Sequence, residues 1–317
     1  MATTCAASVG GVSDSTPAPA GRFYTGRMRA LNTPDGLALV LHPELAPTGA
    51  ARGSVLIVHG LGEHAGRYAH VAAAVAAQGW AVARFDQRGH GLSAGPRGGL
   101  RDDLSLLSDL GLVVADLRAR RPGPLLLLGH SLGGLVVSRF VAEGLAAAPA
   151  AWWQAVDGLV MSSPALDPGM NAGQKALLSL LGLLLPNLAV GNGLQADWVC
   201  SDPAVVRAYR ADPLVHSRIT PRLVRFLVQA GVQVRSLAAR WTTPSLLLYA
   251  GADRCVARRG SDAFVASAPP LLLQVRCYDT LAHEIFNEPE QAQVLDDLTA
   301  WLAQRWPRLD LAPPAAG

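Results

Sequence analysis

LLLLGHSLGGL, residues 125–135, is the stretch from which the fold can be read. Four consecutive leucines make a short apolar run of the kind a buried strand requires. Gly129-His130-Ser131-Leu132-Gly133 follows at once, and residues 132–145 then carry helical apolar spacing. A G-x-S-x-G between strand and helix is a sharp turn that lifts the serine oxygen clear of a sheet. Glycine at both flanks leaves room for the strained backbone and for close approach of the helix. The helix start also offers unpaired N–H groups to a developing negative charge. Ser131 is therefore the candidate nucleophile, and the Leu132 N–H the first candidate donor to an oxyanion.

Working outward, the same strand–turn–helix rhythm recurs on both sides. Residues 23–31 and 37–42 flank the turn signal Asn32-Thr-Pro-Asp-Gly36 and read as an opening hairpin. Strands are predicted over 54–58, 80–85, 125–128 and 158–162, with helices over 67–78 (closed by Gly79), 102–121 and 132–145. The rhythm stops from about 166 to 240, where the chain is leucine-rich, helical and interrupted by Pro186, Pro203, Pro213 and Pro221. It resumes with strands over 245–249 and 271–278 and helices over 261–268 and 291–305. Alternation of this kind implies an α/β fold, a mostly parallel sheet with helices on both faces. The expected organisation is a core of residues 21–165 and 241–308, a helical cap over 166–240, and loose tails at 1–20 and 309–317.

Composition narrows the function classes. The 317 residues are 50% hydrophobic and 16% charged, with a formal net charge of +3. That excludes a disordered chain, and scattered arginines without a basic stripe exclude nucleic acid as a partner. Mean hydropathy is +0.25, but the longest uncharged run, 176–196, is broken by Pro186, Asn187, Asn192, Gln195 and three glycines. It is a poor membrane span. Cys5, Cys200, Cys255 and Cys277 show no CxxC pair and no metal-ligand spacing with histidine, so free thiols and no metal are expected. The first twenty residues make no secretory signal, and a cytoplasmic location is the expectation.

A serine hydroxyl needs a base, and the base an orienting acid. On a doubly wound hydrolase sheet they follow in the order serine, acid, histidine. Only His216 and His283 come after Ser131. His216 falls among the inserted helices. His283 follows the last predicted strand by a few residues, where a loop emerges at the functional sheet edge, and is the candidate base. Asp253, just past the strand at 245–249, is the candidate acid; its competitor Asp279, four residues before His283, reads as a loop residue. The second oxyanion donor is expected from His59-Gly60-Leu61-Gly62, directly after a buried strand, through the Leu61 N–H.

Seven motifs stand in order: HGLGEHAGRY (59–68), DQRGHGLS (86–93), GHSLGG (129–134), SSPAL (162–166), DPLV (212–215), GADRCV (251–256) and HEIFNE (283–288). Together they resemble the monoacylglycerol lipase / lysophospholipase branch of the α/β-hydrolases. The resemblance implies a Ser131–Asp253–His283 triad, oxyanion donors at Leu61 and Leu132, and a helical cap over an acyl tunnel. It also places Glu63 and Arg67 near a glycerol-binding end. The implied activity is hydrolysis of carboxylic esters of apolar acids, monoacylglycerol foremost, without cofactor. Alternatives are a lysophospholipase or carboxylesterase with the same triad, and a non-catalytic binding protein of the same fold. Asp86, Arg88 and His90 read as turn-shaping residues with buried hydrogen bonds. The apolar run 176–190 packs against the sheet or meets lipid, so peripheral membrane contact stays open, as does oligomeric state.

Overall fold

The computed structural model describes Tyr24, Thr25 and residues 27–307. The tails expected at 1–20 and 309–317 lie outside the described residues. The chain enters through β1 (Tyr24–Thr25), β2 (Arg29–Asn32), β3 (Ala38–Leu41) and β4 (Glu44–Leu45). The alternating part follows as β5 (Ser54–Val58), α1 (Ala69–Ala77), β6 (Ala81–Phe85), α2 (Ser105–Arg120), β7 (Leu125–His130), α3 (Leu132–Glu143) and β8 (Gly158–Ser162). After these come α4 (Ala172–Leu184), β9 (Val190–Gly191), α5 (Pro203–Ala211), β10 (Arg218–Ile219) and α6 (Pro221–Leu237). The chain closes with β11 (Ser245–Ala250), α7 (Arg259–Ser267), β12 (Leu273–Tyr278) and α8 (Gln291–Arg305).

The main sheet runs β1-β4-β6-β5-β7-β8-β11-β12, parallel from β6 to β12. β2 and β3 form the expected antiparallel hairpin, with Leu31 opposite Leu39. The leucine run explains itself here. Leu125 and Leu127 point into the layer filled by α2, α3, α6 and α7, whereas Leu126 and Leu128 point into the layer filled by α1 and α8. A strand covered on both faces has no polar position to spare. Each such leucine contributes roughly 1.5–3 kcal/mol by leaving water.

β8 and β11 are neighbours in the sheet, so everything from 163 to 244 leaves the sheet and returns beside its point of departure. Two features of this insertion differ from expectation. Residues 166–240 are not wholly strandless, because β9 and β10 pair antiparallel as a separate two-residue ribbon, Arg218 opposite Gly191. Pro203 and Pro221 are not interruptions either. Each opens a helix, behind the caps Asp202 and Thr220, where a missing N–H costs nothing. The halves of the insertion also pack differently. α6 buries Phe226, Leu227 and Val234 in the main core, while α4 leaves Leu177, Leu180, Leu183 and Leu184 exposed. Among the described residues no helix is long and apolar enough to cross a membrane.

Candidate active site

Ser131 sits between β7 and α3 with φ 53° and ψ −117°, a left-handed conformation that a side chain adopts only under constraint. The constraint is visible. The Ser131 N–H donates to the Ser162 carbonyl at 2.9 Å, and its own carbonyl accepts from Leu135 and Ala165, each at 3.0 Å. The flanking glycines have no substitute: a Cβ at Gly133 would lie 2.1 Å from the Val58 carbonyl oxygen, and one at Gly129 2.3 Å from that of Gly133. α3 starts hard against β5 for that reason.

Asp253 and His283 stand on the loops after β11 and β12, at the same sheet edge as Ser131. Asp253 Oδ1 accepts the N–H groups of Cys255 (2.8 Å) and Val256 (3.0 Å), which aims Oδ2 at His283 Nδ1, 2.7 Å away. Both side chains are nearly buried. Burial disfavours the imidazolium, but the Asp253 carboxylate outweighs it and raises His283 above an ordinary histidine. Burial raises Asp253 in turn, and His283 with the two backbone donors brings it below the usual carboxylate range. Ser131 and His283 line one narrow cleft. Asp279 stays outside, its side chain 84% exposed and facing Arg258. His216 is used elsewhere, with Nε2 on the Gly89 carbonyl at 3.1 Å.

Leu61 and Leu132 both border the cavity that Ser131 opens into. Neither N–H donates to any group among the described residues. Gly60, by contrast, gives its N–H to Glu63 Oε1 at 2.6 Å.

Glu63 and Arg67 prove to be tied to each other. Arg67 Nη1 lies 2.7 Å from Glu63 Oε2, and Arg67 also grips both carboxylate oxygens of Glu284, at 2.5 and 2.6 Å. Tyr68 donates its hydroxyl to Glu63 Oε1 at 2.7 Å. Arg67 lies over the ring of Tyr209, 4.9 Å from its centroid. The network is buried and borders the narrow cleft through Glu63, Tyr209 and Glu284.

Three contributors had little sequence signal. His130, inside the pentapeptide, packs its ring 4.7 Å from that of His283. Glu284 follows His283 directly, and Tyr209 comes from α5. Nothing in periodicity marks Tyr209, because what places it is the fold of the insertion. Asp86, Arg88 and His90 do shape a turn. Asp86 accepts from His42 (3.0 Å), Ala65 (2.8 Å) and Leu92 (2.9 Å), and Arg88 pairs with Asp109 and Asp35.

On one side of Ser131 lies an apolar cavity of about 420 Å³, walled by residues such as Leu132, Leu178, Leu181, Val224 and Leu227. On the other lies the narrow cleft, with His283, Glu63 and Tyr209. A further cavity of about 170 Å³, of mixed lining, shares Leu194, Val199 and Tyr209 with the cleft.

Comparison with known proteins agrees with this architecture. Residues 49–290 match the Hydrolase_4 family model, described as serine aminopeptidase, S33. A monoacylglycerol lipase of Mycolicibacterium smegmatis is 37% identical over 267 residues, 83% of this chain and 92% of that protein. The crystal structure of Paleococcus ferrophilus monoacylglycerol lipase superposes with a TM-score of 0.74 at 31% identity, covering 84% of this chain and 98% of that one. A soluble variant of the Saccharomyces cerevisiae monoglyceride lipase, 22% identical, shares the fold with a TM-score of 0.78 over 91% of this chain and 98% of that one.

Proposed function

The chain belongs to the Hydrolase_4 family of serine hydrolases with the α/β-hydrolase fold, and from that premise we propose that it cleaves monoacylglycerol to fatty acid and glycerol through an acyl-enzyme. The observation that carries this reading is the pair of unlike spaces meeting at Ser131, an apolar cavity on one side and a cleft with polar residues on the other. An ester of an apolar acid with a small polar alcohol has that same division. Each buried CH₂ of the acyl chain contributes about 0.8 kcal/mol.

In this mechanism Ser131 Oγ attacks the ester carbonyl while His283 Nε2 takes its proton. Asp253, on Nδ1–H, holds the tautomer and offsets the imidazolium that forms. The Leu61 and Leu132 N–H groups receive the oxyanion, a term worth about 10²–10³ in turnover per donor. His283 then protonates the departing alcohol, and water it activates frees the acid. Glu63, Arg67 and Glu284 shape the alcohol end as one ion-paired unit rather than as separate ligands. Each of these charges already has a partner, so the unit offers no free ion to a charged head group. Arg67 is committed to two carboxylates and is not free for the phosphate of a lysophospholipid, and the same carboxylates are not free for the α-ammonium of a peptide. The insertion acts as a cap, and the exposed leucines of α4 contact lipid peripherally.

A hydrolysis panel of monoacylglycerols, lysophosphatidylcholine and p-nitrophenyl esters of graded length tests the reading. Long-chain monoacylglycerol should lead in kcat/KM. Preference for acetate esters would defeat the lipid reading, and unchanged turnover in Ser131→Ala would defeat the mechanism.

A further inference from the structure

The loop that carries Asp253 brings a third kind of ligand to the histidine. One carboxylate oxygen of Asp253, the Cys255 sulfur and one ring nitrogen of His283 lie within 4.8 Å of one another. Sequence spacing hides this set, because His283 is far along the chain and only the neighbouring ends of β11 and β12 unite the loops. Cys255 borders both the apolar cavity and the narrow cleft, so a small cation entering at Ser131 reaches the sulfur without crossing the core. Thiolate, imidazole and carboxylate are the ligands zinc takes, at about 2.3, 2.0–2.1 and 2.0–2.2 Å. Tetrahedral angles at those lengths set ligand atoms roughly 3.3–3.6 Å apart. No pair therefore needs to close by more than about 1.5 Å, while Asp253 Oδ2 and His283 Nδ1, now 2.7 Å apart, open by less than about 1 Å.

We propose that Asp253, Cys255 and His283 form an inhibitory site for a thiophilic divalent cation, Zn²⁺ or Cd²⁺, with the fourth position open toward Ser131. The inhibition rests on the catalytic reading given above; the binding does not.

The proton balance is definite. The metal takes the place of the proton between Asp253 Oδ2 and His283 Nδ1, now 2.7 Å apart. That proton passes through solvent to Nε2, so the imidazole stays neutral. The Cys255 thiol releases its proton to solvent as the sulfur–metal bond forms, giving one proton per metal bound. A coordinated thiol is deprotonated outright. With Nε2 carrying a proton, no lone pair remains to accept one from Ser131. The anchor is preformed: Asp253 Oδ1 is fixed by the Cys255 and Val256 N–H groups. Mg²⁺ and Ca²⁺, which call for more oxygen ligands, should have no effect.

The test titrates the full chain with Cd²⁺ and reads the thiolate-to-metal charge-transfer band in the ultraviolet, alongside p-nitrophenyl ester turnover. Expected are one saturable Cd²⁺, a parallel loss of rate relieved by a chelator, and silence with Mg²⁺. In Cys255→Ala and Cys255→Ser, each compared with its own metal-free rate, inhibition should weaken by about tenfold or more. Ser131→Ala should keep the band. If that variant also keeps turnover, the catalytic reading falls while the metal site stands. Cys200 and Cys277 are also free thiols. An unchanged band and affinity in Cys255→Ala would assign the cation to another cysteine, Cys5, Cys200 or Cys277, and overturn the proposal, as would a wild-type chain with no saturable Cd²⁺.

Discussion

The ring of His130 lies 4.7 Å from that of His283, inclined at 55°. Its far edge is held by the Ser162 hydroxyl, 3.0 Å from Nδ1. Burial, and then the charge of His283, depress His130 to about 3, so it is neutral at any working pH. A neutral ring can buttress the imidazole without opposing the imidazolium that forms. His130 is thus a positioning residue.

His130→Ala leaves a ring-sized gap beside His283 and lets the base turn away from Ser131. Misplacement of about an ångström costs up to roughly 10² in rate. Turnover should fall by about 10–100-fold with KM little changed. Steady-state kinetics decide the matter, and a variant that loses substrate binding instead would contradict the positioning role.

The pH profile follows from the direction of the His283 shift. Only the neutral imidazole accepts the serine proton, and Asp253 raises its pKa above the ordinary 6.5. kcat/KM should therefore decline tenfold per pH unit below an inflection that lies above 6.5, and level off at higher pH. In Asp253→Asn the largest raising influence is gone while burial remains, and only Glu284 and Glu63 still favour the imidazolium. The inflection should move to lower pH as turnover drops by about 10⁴ through loss of the correct tautomer. A pH–rate series on both proteins reads the two effects separately; an inflection that stayed put would remove Asp253 from its role.

How far the chain announces all this in advance differs by element. The sheet was legible because LLLL at 125–128 is covered on both faces, and a strand so placed tolerates no polar residue. The placement of Ser131, Asp253 and His283 at one sheet edge was legible because each follows a strand that ends there, so their order along the chain maps onto space. The Arg67 network was not. HGLGEHAGRY shows Glu63 and Arg67 four apart, but the second carboxylate, Glu284, arrives from the opposite end of the chain and turns two apparent ligands into an ion cluster of one guanidinium and two carboxylates. The β9–β10 ribbon escaped for a related reason, since two-residue strands carry no periodicity.

That network makes Arg67→Met severe. It would leave the carboxylates of Glu63 and Glu284 buried, like-charged and without their shared cation. Removing one partner of a buried ion cluster costs about 3–5 kcal/mol. Chemical denaturation should show a loss of that order, and adding Glu63→Gln and Glu284→Gln to Arg67→Met should restore much of it. If Arg67→Met alone unfolds no more easily than wild type, the guanidinium is not the neutralising group.

Leu183 and Leu184, at the end of α4, are 77% and 63% exposed. Neither borders the apolar cavity, which α4 reaches through Gln174, Leu177, Leu178 and Leu181. Among the described residues the helix therefore has an inner face on the cavity and an outer face that nothing covers. Replacing both outer leucines by serine removes apolar surface without opening the core, so stability should stay within about 0.5 kcal/mol. If these side chains enter lipid, partial burial of the pair is worth roughly 2 kcal/mol, near thirtyfold in partitioning. Flotation with phosphatidylcholine vesicles should show that decrease, together with slower turnover of vesicle-borne monoacylglycerol and unaltered turnover of a soluble short-chain ester. Equal partitioning of the two proteins would mean that α4 does not carry the contact with lipid.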